Sequence, residues 1–216
     1  MILMERTLIY AVIAAYLFIT LAPLLWVLST SFKPNEEAIS FPPKFLPERP
    51  TLDNYLFVLT DPKLVLSLFN SLMVSLASTG LSVAVCALGG YAFARFEFKG
   101  KSLLMTTILG LFMIPLVINI IPLYIMLANV GLLNSLVGLV LTFQIIIIPL
   151  NIFLLKNYFE TIPKELEEAA LIDGCSKIRA FWHIIVPISL PGFVIAAILS
   201  FRFSWNEFVL PIVLSN

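Results

Sequence analysis

The stretch SLVGLVLTFQIIIIPLNIFLL occupies residues 135–155, and no charged side chain interrupts it. A helix needs about 20 mostly apolar residues to cross the hydrocarbon layer of a bilayer, and this stretch has that length. Because unpaired backbone N–H and C=O groups are costly in lipid, a segment that crosses it must be helical unless it lines a cavity. The stretch therefore predicts a membrane-spanning helix.

Four further apolar stretches have a similar length. Each is a continuous run, without the alternation of polar and apolar residues that the strands of a membrane barrel would show. The fold is therefore predicted to be all-α, a polytopic transmembrane helical bundle in a single domain that covers residues 1–216. The five predicted spans are residues 8–30, 66–94, 103–127, 135–155 and 188–214.

The composition favours a lipid environment and argues against other classes of protein. Hydrophobic residues make up 60% of the 216 residues and charged residues only 12%, whereas soluble domains carry about a quarter charged residues. The formal net charge is zero and the few basic residues form no stripe, so we expect no nucleic-acid partner. Cys86, Cys175 and His183 do not have metal-ligand spacing, so we expect no metal site.

The basic residues of the short loops predict how the helices are oriented. Cytoplasmic loops carry an excess of Lys and Arg. One side of the membrane would hold eight of these residues and the other side four. The protein is therefore predicted to lie in the cell membrane with its N-terminus and the loop 156–187 in the cytoplasm. The eight residues are Arg6, Arg95, Lys99, Lys101, Lys156, Lys164, Lys177 and Arg179.

Residues 33–65 would form the long loop on the outer side. Six prolines fall in this segment. Because proline lacks a backbone N–H and its ring obstructs the preceding turn of a helix, such a density forbids a regular helix across most of the loop. We therefore expect a stiff, extended surface segment.

The loop 156–187 carries the most specific pattern in the sequence. Pro163 suits the first turn of a helix, and Gly174 suits the left-handed position that ends one. Three glutamates fall in the early turns between them, where the helix dipole favours negative charge. Ser176 can cap a second short helix from Lys177 to about Ile185. The loop is therefore predicted to form a helix–turn–helix elbow.

The first helix of this elbow is predicted to be amphipathic. Ile162, Leu166, Ala169 and Ala170 recur at helical spacing on one face, and the opposite face is charged. The small alanines would let another surface approach closely, and Glu168 beside them would reach a cation or backbone amides there. From the residues alone, docking on a partner protein and lying on the lipid headgroups are both open, although anionic lipids disfavour an acidic face.

The elbow also contains a spaced motif. Glu168-Ala169-Ala170 is followed after three residues by Gly174, after nine more by Ile184, and then by Val186-Pro187. This pattern resembles the signature loop of ABC importer permeases, E-A-A-x3-G-x9-I-x-L-P, with Val186 in place of the usual Leu. Other short sequence segments resemble the carbohydrate branch of that family, the maltose-type second permease. With them, the resemblance covers nearly the whole chain. They are Thr51-Leu52-Asp53-Asn54-Tyr55, Asn70-Ser71, Tyr91-Ala92-Phe93-Ala94-Arg95-Phe96, Ile121-Pro122-Leu123-Tyr124 and Ser204-Trp205-Asn206-Glu207-Phe208.

This resemblance implies a function and a set of partners. Such a permease is a transport subunit, not an enzyme, and moves a sugar or a sugar-like solute across the cytoplasmic membrane. It pairs with a second permease subunit, expected to be a different chain, and with two copies of a cytoplasmic ATP-binding subunit. An extracytoplasmic solute-binding protein delivers the solute. ATP is bound by the ATPase subunits, and because this sequence has no G-x-x-x-x-G-K-[ST] loop, we expect no cofactor on the chain.

The resemblance further implies that the elbow is the coupling helix, which sits in a cleft of the ATPase subunit. Glu168 would make the polar contact, and small residues would allow the close fit. When ATP closes the ATPase dimer, the elbows move with it and the spans rock between inward-facing and outward-facing states. The implied docking residues are Glu168, Ala169, Ala170, Asp173, Gly174, Ile184 and Pro187.

Members of this family usually have a sixth span and end in the cytoplasm. Here the sequence reaches Asn216 just after the fifth predicted span. We therefore expect the sixth span of the family to be missing from this chain.

Among the polar and charged residues inside the predicted spans, six are candidates for a common role. A charge in the middle of the bilayer costs about 2.5–3.5 kcal/mol on insertion scales, so Arg202 is expected to face the bundle interior with a partner on another span. Two interpretations of the set are open: hydrogen bonds between helices, or a solute path that offers donors and acceptors to sugar hydroxyls. The six residues are Asn119, Gln144, Asn151, Arg202, Asn206 and Glu207.

Two other classes of membrane protein fit the sequence less well. A stand-alone secondary transporter usually has buried carboxylates for ion coupling, but Glu207 is the only acidic residue in a predicted span. A membrane-embedded enzyme needs a convergent set of catalytic side chains, and the sequence contains one histidine.

Overall fold

The computed structural model describes the backbone of residues 2–215 and the side chains of residues 6–215. All regular secondary structure in this part of the chain is helical, which confirms the predicted all-α class. The elements are α1 Ile2–Ser31, α2 Asn35–Ala38, α3 Asp53–Thr60, α4 Pro62–Arg95, α5 Lys101–Phe112, α6 Leu116–Asn129, α7 Leu136–Glu160, α8 Glu165–Ile172, α9 Lys177–Ala180, a π-helical turn Phe181–Ile185, α10 Val186–Ile188, α11 Leu190–Asn206 and α12 Val209–Leu214.

Within residues 2–215, three helices are long and apolar enough to cross a membrane: Arg6–Ser31 in α1, Pro62–Arg95 (α4) and Leu136–Glu160 (α7). Two bent helix pairs raise this number to five if each pair is counted as one span: Lys101–Phe112 with Leu116–Asn129, bent by 97°, and Lys177–Ile188 with Leu190–Asn206, bent by 75°. The chain is therefore a multi-pass membrane protein. The predicted number of about five spans agrees with this count.

The predicted third span is not one continuous helix. α5 and α6 are bent by 97° relative to each other, and the break includes Pro115. Pro115 has no N–H to donate, and in a continuous helix its ring would clash with the carbonyl group of Leu111. Pro122 and Pro149, in contrast, lie inside α6 and α7.

The predicted fifth span, residues 188–214, is also interrupted. α11 ends before Glu207, which is extended (φ −76°, ψ 122°), and α12 follows Phe208. A continuous helix would place the ring of Pro211 against the carbonyl group of Glu207. The Glu207 carboxylate instead accepts a hydrogen bond from the N–H of Val209 at 2.9 Å and caps α12.

The chain divides into two compact units, one up to Leu68 and one from Phe69 onward; a single domain stays a prediction. In the first unit, hydrogen bonds hold the proline-rich segment against the end of α1. The Asn54 amide donates to the carbonyl groups of Ser31 (3.0 Å) and Lys33 (2.8 Å). α2 and α3 lie within this segment. The expectation of an extended loop is therefore wrong for these two stretches.

In the second unit, side chains from α4, α7 and α11 bury two apolar clusters. One lies next to the elbow and the other toward the opposite ends of these helices, where α6 and α12 contribute. The first cluster positions the elbow, since it includes side chains from the π-helical turn. Its members with no exposed surface are Cys86, Leu155, Phe159, Ile185 and Ala196.

Two glycines allow helices of the second unit to approach closely. A Cβ atom at Gly90 of α4 would lie 3.0 Å from the Cβ of Leu155 on α7. At Gly192 of α11 it would lie 2.7 Å from the ring of Tyr158. Small residues at such contacts are typical of helices packed in membranes.

Candidate functional site

The elbow, residues 161–188, begins with α8, and Gly174 sets the end of that helix. Gly174 has a φ of +84°, in the left-handed region. Its N–H donates to the carbonyl group of Leu171 (3.1 Å), and the N–H of Cys175 donates to that of Ala170 (2.9 Å), which is the Schellman arrangement. The predicted helix stop is confirmed.

The start of α8 differs from the prediction. The helix begins at Glu165, so Pro163 lies before it and not in its first turn. The carbonyl group of Lys164 accepts hydrogen bonds from the N–H groups of Glu167 (3.0 Å) and Glu168 (3.1 Å). Pro163 therefore belongs to the turn that leads from α7 into the elbow.

The buried face of α8 is also rotated from the predicted one. Ile162 and Ala170 are buried, as predicted, but Leu166 and Ala169 are exposed. The reason is that Glu167, one turn before Ala170, points inward to a polar partner. The face that packs on the protein is therefore centred on Glu167, and both neighbours of this residue are turned outward.

The second limb of the elbow begins as predicted and then changes its helical type. The Ser176 hydroxyl accepts a hydrogen bond from the N–H of Arg179 at 3.3 Å and caps α9. The helix predicted from Lys177 to about Ile185 is present, but its last part, from Phe181 to Ile185, is a π-helical turn. This wider turn places Phe181 and Ile185 in the buried cluster beside the elbow.

An aromatic cluster anchors the elbow to the ends of α4 and α7. The ring of Phe181 lies 4.7 Å from that of Tyr91 on α4 and 6.5 Å from that of Phe159 on α7, between centroids. Tyr91 and Phe159 meet edge to face at 6.0 Å. Such pairs add stability beyond their burial, so the second limb is fixed to the ends of both helices.

A polar cluster that sequence reasoning missed anchors the first limb. The Arg95 Nε donates to Glu167 Oε1 in an ion pair, and the Tyr91 hydroxyl donates to Glu167 Oε2 at 2.7 Å. The Arg95 Nη2 donates to the carbonyl group of Ile162 at 2.9 Å. The Arg95 and Glu167 side chains are only 7% and 13% exposed. An arginine in the last turn of an apolar helix was the available signal, but no spacing rule pairs residues so far apart in the chain.

The implied docking residues divide by exposure. Glu168, Ala169, Asp173, Gly174 and Pro187 are exposed, Ile184 is partly exposed, and Ala170 is buried. A Cβ atom added at Gly174 would meet nothing within 4 Å, so the space over this residue is open in this chain. Adjacent glutamates thus differ in exposure. Glu167 is mostly buried in its contacts with Arg95 and Tyr91, whereas Glu168 is exposed, although both side chains line one cavity next to Arg95.

The polar residues in the spans form a seam between helices. The Asn151 amide on α7 donates to the hydroxyls of Ser82 on α4 (2.9 Å) and Ser200 on α11 (2.6 Å). The Gln144 amide donates to the carbonyl group of Ser78 at 3.3 Å. Gln144 Oε1 and the hydroxyl oxygen of Ser78 are buried without a partner in the described part of the chain. Asn151 and Gln144 therefore make the bonds that the interhelical interpretation requires.

The other polar residues lie nearer the surface of the chain. The Arg202 side chain is exposed and makes no ion pair or hydrogen bond with the described residues, so the expectation of a partner on another span of this chain is wrong. The Asn206 amide donates to the carbonyl group of Arg202 at 2.7 Å. Glu207 caps α12, and Asn119 is partly buried in α6.

A groove of about 550 Å³ runs beside Arg202 between α11 and α4. The rings of Phe201 and Trp205 stack beside it, with centroids 5.7 Å apart and an interplanar angle of 14°. The lining of this groove is almost entirely apolar, and Thr79, Arg202 and Asn206 are its polar members. Arg202 thus has aromatic and polar neighbours but no counter-charge among the described residues.

Comparisons with known proteins agree with this architecture. Residues 86–216 match the family model of the binding-protein-dependent transport system inner membrane component. The chain is 40% identical to the sulfoquinovosyl glycerol transport system permease protein SmoH of Agrobacterium fabrum, over 88% of this chain and 67% of that one. It is 36% identical to the diacetylchitobiose uptake system permease protein NgcG of Streptomyces coelicolor, over 96% and 68%.

A solved structure has the same fold. It is a bacterial ABC transporter involved in the import of the acidic polysaccharide alginate; the match has a TM-score of 0.83 and 22% identity and covers 99% of this chain and 75% of the other. Components of such transport systems act with an ATPase and a substrate-binding protein. From its family match and its relatives, this chain belongs to the inner membrane components of binding-protein-dependent transport systems and is a permease subunit, not an enzyme.

Proposed function

We propose that this permease subunit imports a sugar or a sugar-like solute across the cytoplasmic membrane and is driven by ATPase subunits that grip the elbow. The relatives named for sulfoquinovosyl glycerol and diacetylchitobiose support this class of solute. The observation that carries the proposal is the elbow itself, which is fixed on its inner side and offers Glu168, Ala169 and Gly174 on its outer side.

The docking contact follows from these exposures. Glu168, in the first turn of α8, has no hydrogen-bond partner among the described residues and is available to a cation or to backbone amides of the ATPase. The open space over Gly174 admits the wall of a cleft at close range. Asp173 and Pro187 are also exposed and would take part in the contact. A motion of the ATPase would then bias the permease between two states.

The orientation and stoichiometry belong to the same proposal. The excess of Lys and Arg in alternate loops supports a cytoplasmic N-terminus and a cytoplasmic elbow. We expect two copies of the ATPase, which bind the ATP, and a second permease of different sequence. An extracytoplasmic solute-binding protein would load the solute from the other side.

The solute path is a further part of the proposal. Arg202 and Asn206 lie one helical turn apart on α11, next to a groove with stacked aromatic rings. Because an unpaired guanidinium group cannot face lipid tails without a large cost, this face would line an aqueous path or a subunit interface. Asn151 lines a second cavity together with Arg202 and so lies next to the same face. Asn119, Gln144 and Glu207 would shape the path indirectly, through the helices to which they belong.

Co-purification tests the proposal. The tagged chain is expressed in its native host, extracted in mild detergent, and assayed for a co-purifying subunit that binds and hydrolyses ATP. Glu168→Lys should abolish this association without changing the amount of membrane-inserted chain. Glu160→Lys, a change at the nearby end of α7, is the matched control. An association unaffected by Glu168→Lys, or the absence of any ATPase with the unmodified chain, would contradict the proposal.

Cys175 offers a direct test of orientation. This thiol lies in the elbow and is partly exposed, whereas Cys86 is buried. A membrane-impermeant maleimide should label Cys175 in inside-out vesicles that lack the ATPase, and not in right-side-out vesicles. Cys175→Ser should remove the signal. Labelling from the outside would place the elbow on the wrong side of the membrane for an ATPase.

A further inference from the structure

The backbone joins the elbow to two helices only, α7 before it and α11 after it. α4 is more than 60 residues away in sequence, yet its last turn lies directly under the elbow. Any movement forced on the elbow would reach α4 through side-chain contacts alone. The contacts at this junction therefore connect α4 directly to the elbow, in addition to the indirect connection through its packing on α7 at Gly90 and Ser82.

The polar contacts at this junction give each oxygen of the Glu167 carboxylate a partner. Both carboxylate oxygens of Glu167 are used, one by Arg95 and the other by Tyr91 at 2.7 Å. A second nitrogen of Arg95 reaches the carbonyl group of Ile162 at 2.9 Å, in the turn before α8. The planar guanidinium group thus bonds to two separate points of the elbow, a geometry that resists rotation of one element about the other.

Apolar contacts lock the same elements. The Tyr91 ring packs against Phe181 of the second limb at 4.7 Å, so one α4 residue touches both limbs of the elbow. The Lys177 ammonium group lies 5.3 Å from the centroid of the Phe96 ring, just beyond the end of α4. Polar and apolar contacts together connect α4 to the first and the second limb.

We propose that Arg95, Glu167 and Tyr91 form a strut that makes α4 and the elbow one moving body, so that a displacement of the elbow by the ATPase is transmitted to α4 as well as to α7 and α11. This inference rests on the proposed function. It gives the adjacent acids separate tasks: Glu168 contacts the ATPase, and Glu167 transmits the motion within the permease. All three members of the strut are assigned as positioning residues, since their polar contacts are with one another and with the backbone of Ile162.

A purely structural clip would have different consequences from a strut. A clip would lower the stability of the chain without changing how α4 responds to nucleotide. A strut predicts that the spacing between α4 and the elbow is the same with and without ATP, and that this constancy is lost when the strut is cut. The spacing is therefore the readout that separates the two roles.

The experiment measures this spacing in the whole complex. Spin labels are placed at Leu81→Cys on α4, about 20 Å from its elbow end, and at Arg179→Cys on α9, in a Cys175→Ser background; both labelled side chains are exposed. Distances are recorded without nucleotide and after trapping with ATP and vanadate. When the strut is intact, we expect the distance between the two spin labels to be the same with and without nucleotide. With Glu167→Gln or Arg95→Gln we expect the distance to shift and its distribution to widen roughly twofold on trapping.

Three further variants make the test specific. Arg95→Gln combined with Glu167→Gln should be no worse than either single change, because each removes the same connection. Tyr91→Phe keeps the ring packing and should give a smaller widening. Glu160→Gln removes an exposed ion pair with Lys156 and should leave the distance unchanged.

The outcomes separate the strut from the proposed function. Additive effects of the two single changes, a constant distance in both, or a distance that already changes on trapping in the unmodified strut would each overturn the strut while docking stands. If no ATPase binds the unmodified chain, the proposed function fails, and the strut fails with it. ATP hydrolysis by the complex is measured in parallel and should persist in the strut variants, because their docking surface is intact.

Discussion

Two arginines of this chain lie near opposite ends of the bundle and have opposite surroundings. Arg95, at the elbow end, is almost fully buried and uses its guanidinium group to bond to Glu167 and Ile162. Arg202, on α11, is exposed and has no partner among the described residues. A charge that is satisfied within the chain fixes its geometry, whereas a charge left unsatisfied is available to water, a solute or another subunit.

The largest effect on stability is expected at Arg95. Arg95→Ala leaves the Glu167 carboxylate buried without its partner, and breaking a buried ion pair on one side is strongly destabilising. We expect a loss of about 3 kcal/mol in the free energy of unfolding, seen as a lower unfolding temperature of the chain in mild detergent. If Arg95→Ala lowered the free energy of unfolding no more than loss of the exposed ion pair between Lys156 and Glu160, Arg95 would not be the fixed, buried charge described here.

A smaller effect is expected in the polar seam. Asn151→Ala removes the bonds to Ser82 and Ser200 and leaves both hydroxyls without this donor. Since interhelical hydrogen bonds in membranes contribute about 0.6 kcal/mol each on average, we expect a loss of about 1–2 kcal/mol. The same unfolding assay checks it. Asn151→Asp, which keeps the shape of the side chain but not its N–H donors, should also lower the free energy of unfolding. Full stability of both variants would argue against the seam.

The surface ion pair of Lys156 and Glu160 provides a reference for the scale. It joins residues four apart on α7, and the Glu160 side chain is 43% exposed. Pairs of this kind contribute about 0.3–0.5 kcal/mol, so Glu160→Gln should shift the unfolding temperature only slightly. The shift should shrink further at high salt, because screening weakens an exposed pair, whereas the Arg95 effect should change little with salt.

The smallest change in stability is expected at Arg202, together with a large change in transport. Arg202→Gln should alter the free energy of unfolding by no more than about 0.5 kcal/mol, because no bond within the chain is lost. Uptake by the assembled importer should fall, measured with the solute that its binding protein carries. If stability fell as much as with Arg95→Ala and uptake per complex did not, the contrast between the arginines would be lost.

Sequence patterns predicted the elements of this protein better than their junctions. Span number, the stop at Gly174 and the cap at Ser176 depend on local composition and backbone preference, which the sequence displays directly. Pro115, inside an apolar run, predicts a kink or freed carbonyl groups in the third span, and the 97° bend there agrees with that. The break before Pro211 was accessible by the same backbone argument, but the continuous hydrophobic run hid it. The residues between helices are where local reasoning was weakest.

The strut and the rotated face of α8 depended on contacts that local patterns do not encode. The predicted apolar face assumed that every charged side chain of α8 points to solvent. Glu167 points inward because Arg95, 72 residues earlier, is there to receive it. Arg202 shows the converse, since the cost of a charge in lipid predicted a partner, and none is found among residues 6–215.

The π-helical turn at Phe181–Ile185 sets the phase between the elbow and the helix that follows it. Such a turn holds one residue more than an α-helical path would need, and each residue of an α-helix rotates the chain by about 100°. Deleting one residue from this turn would therefore let the chain follow an ordinary α-helical path, with the segments before and after it kept in phase. A deletion inside the regular part of α11 would instead rotate every later residue by about 100°, so the π-helical turn is the place where this part of the chain would best tolerate the loss of one residue.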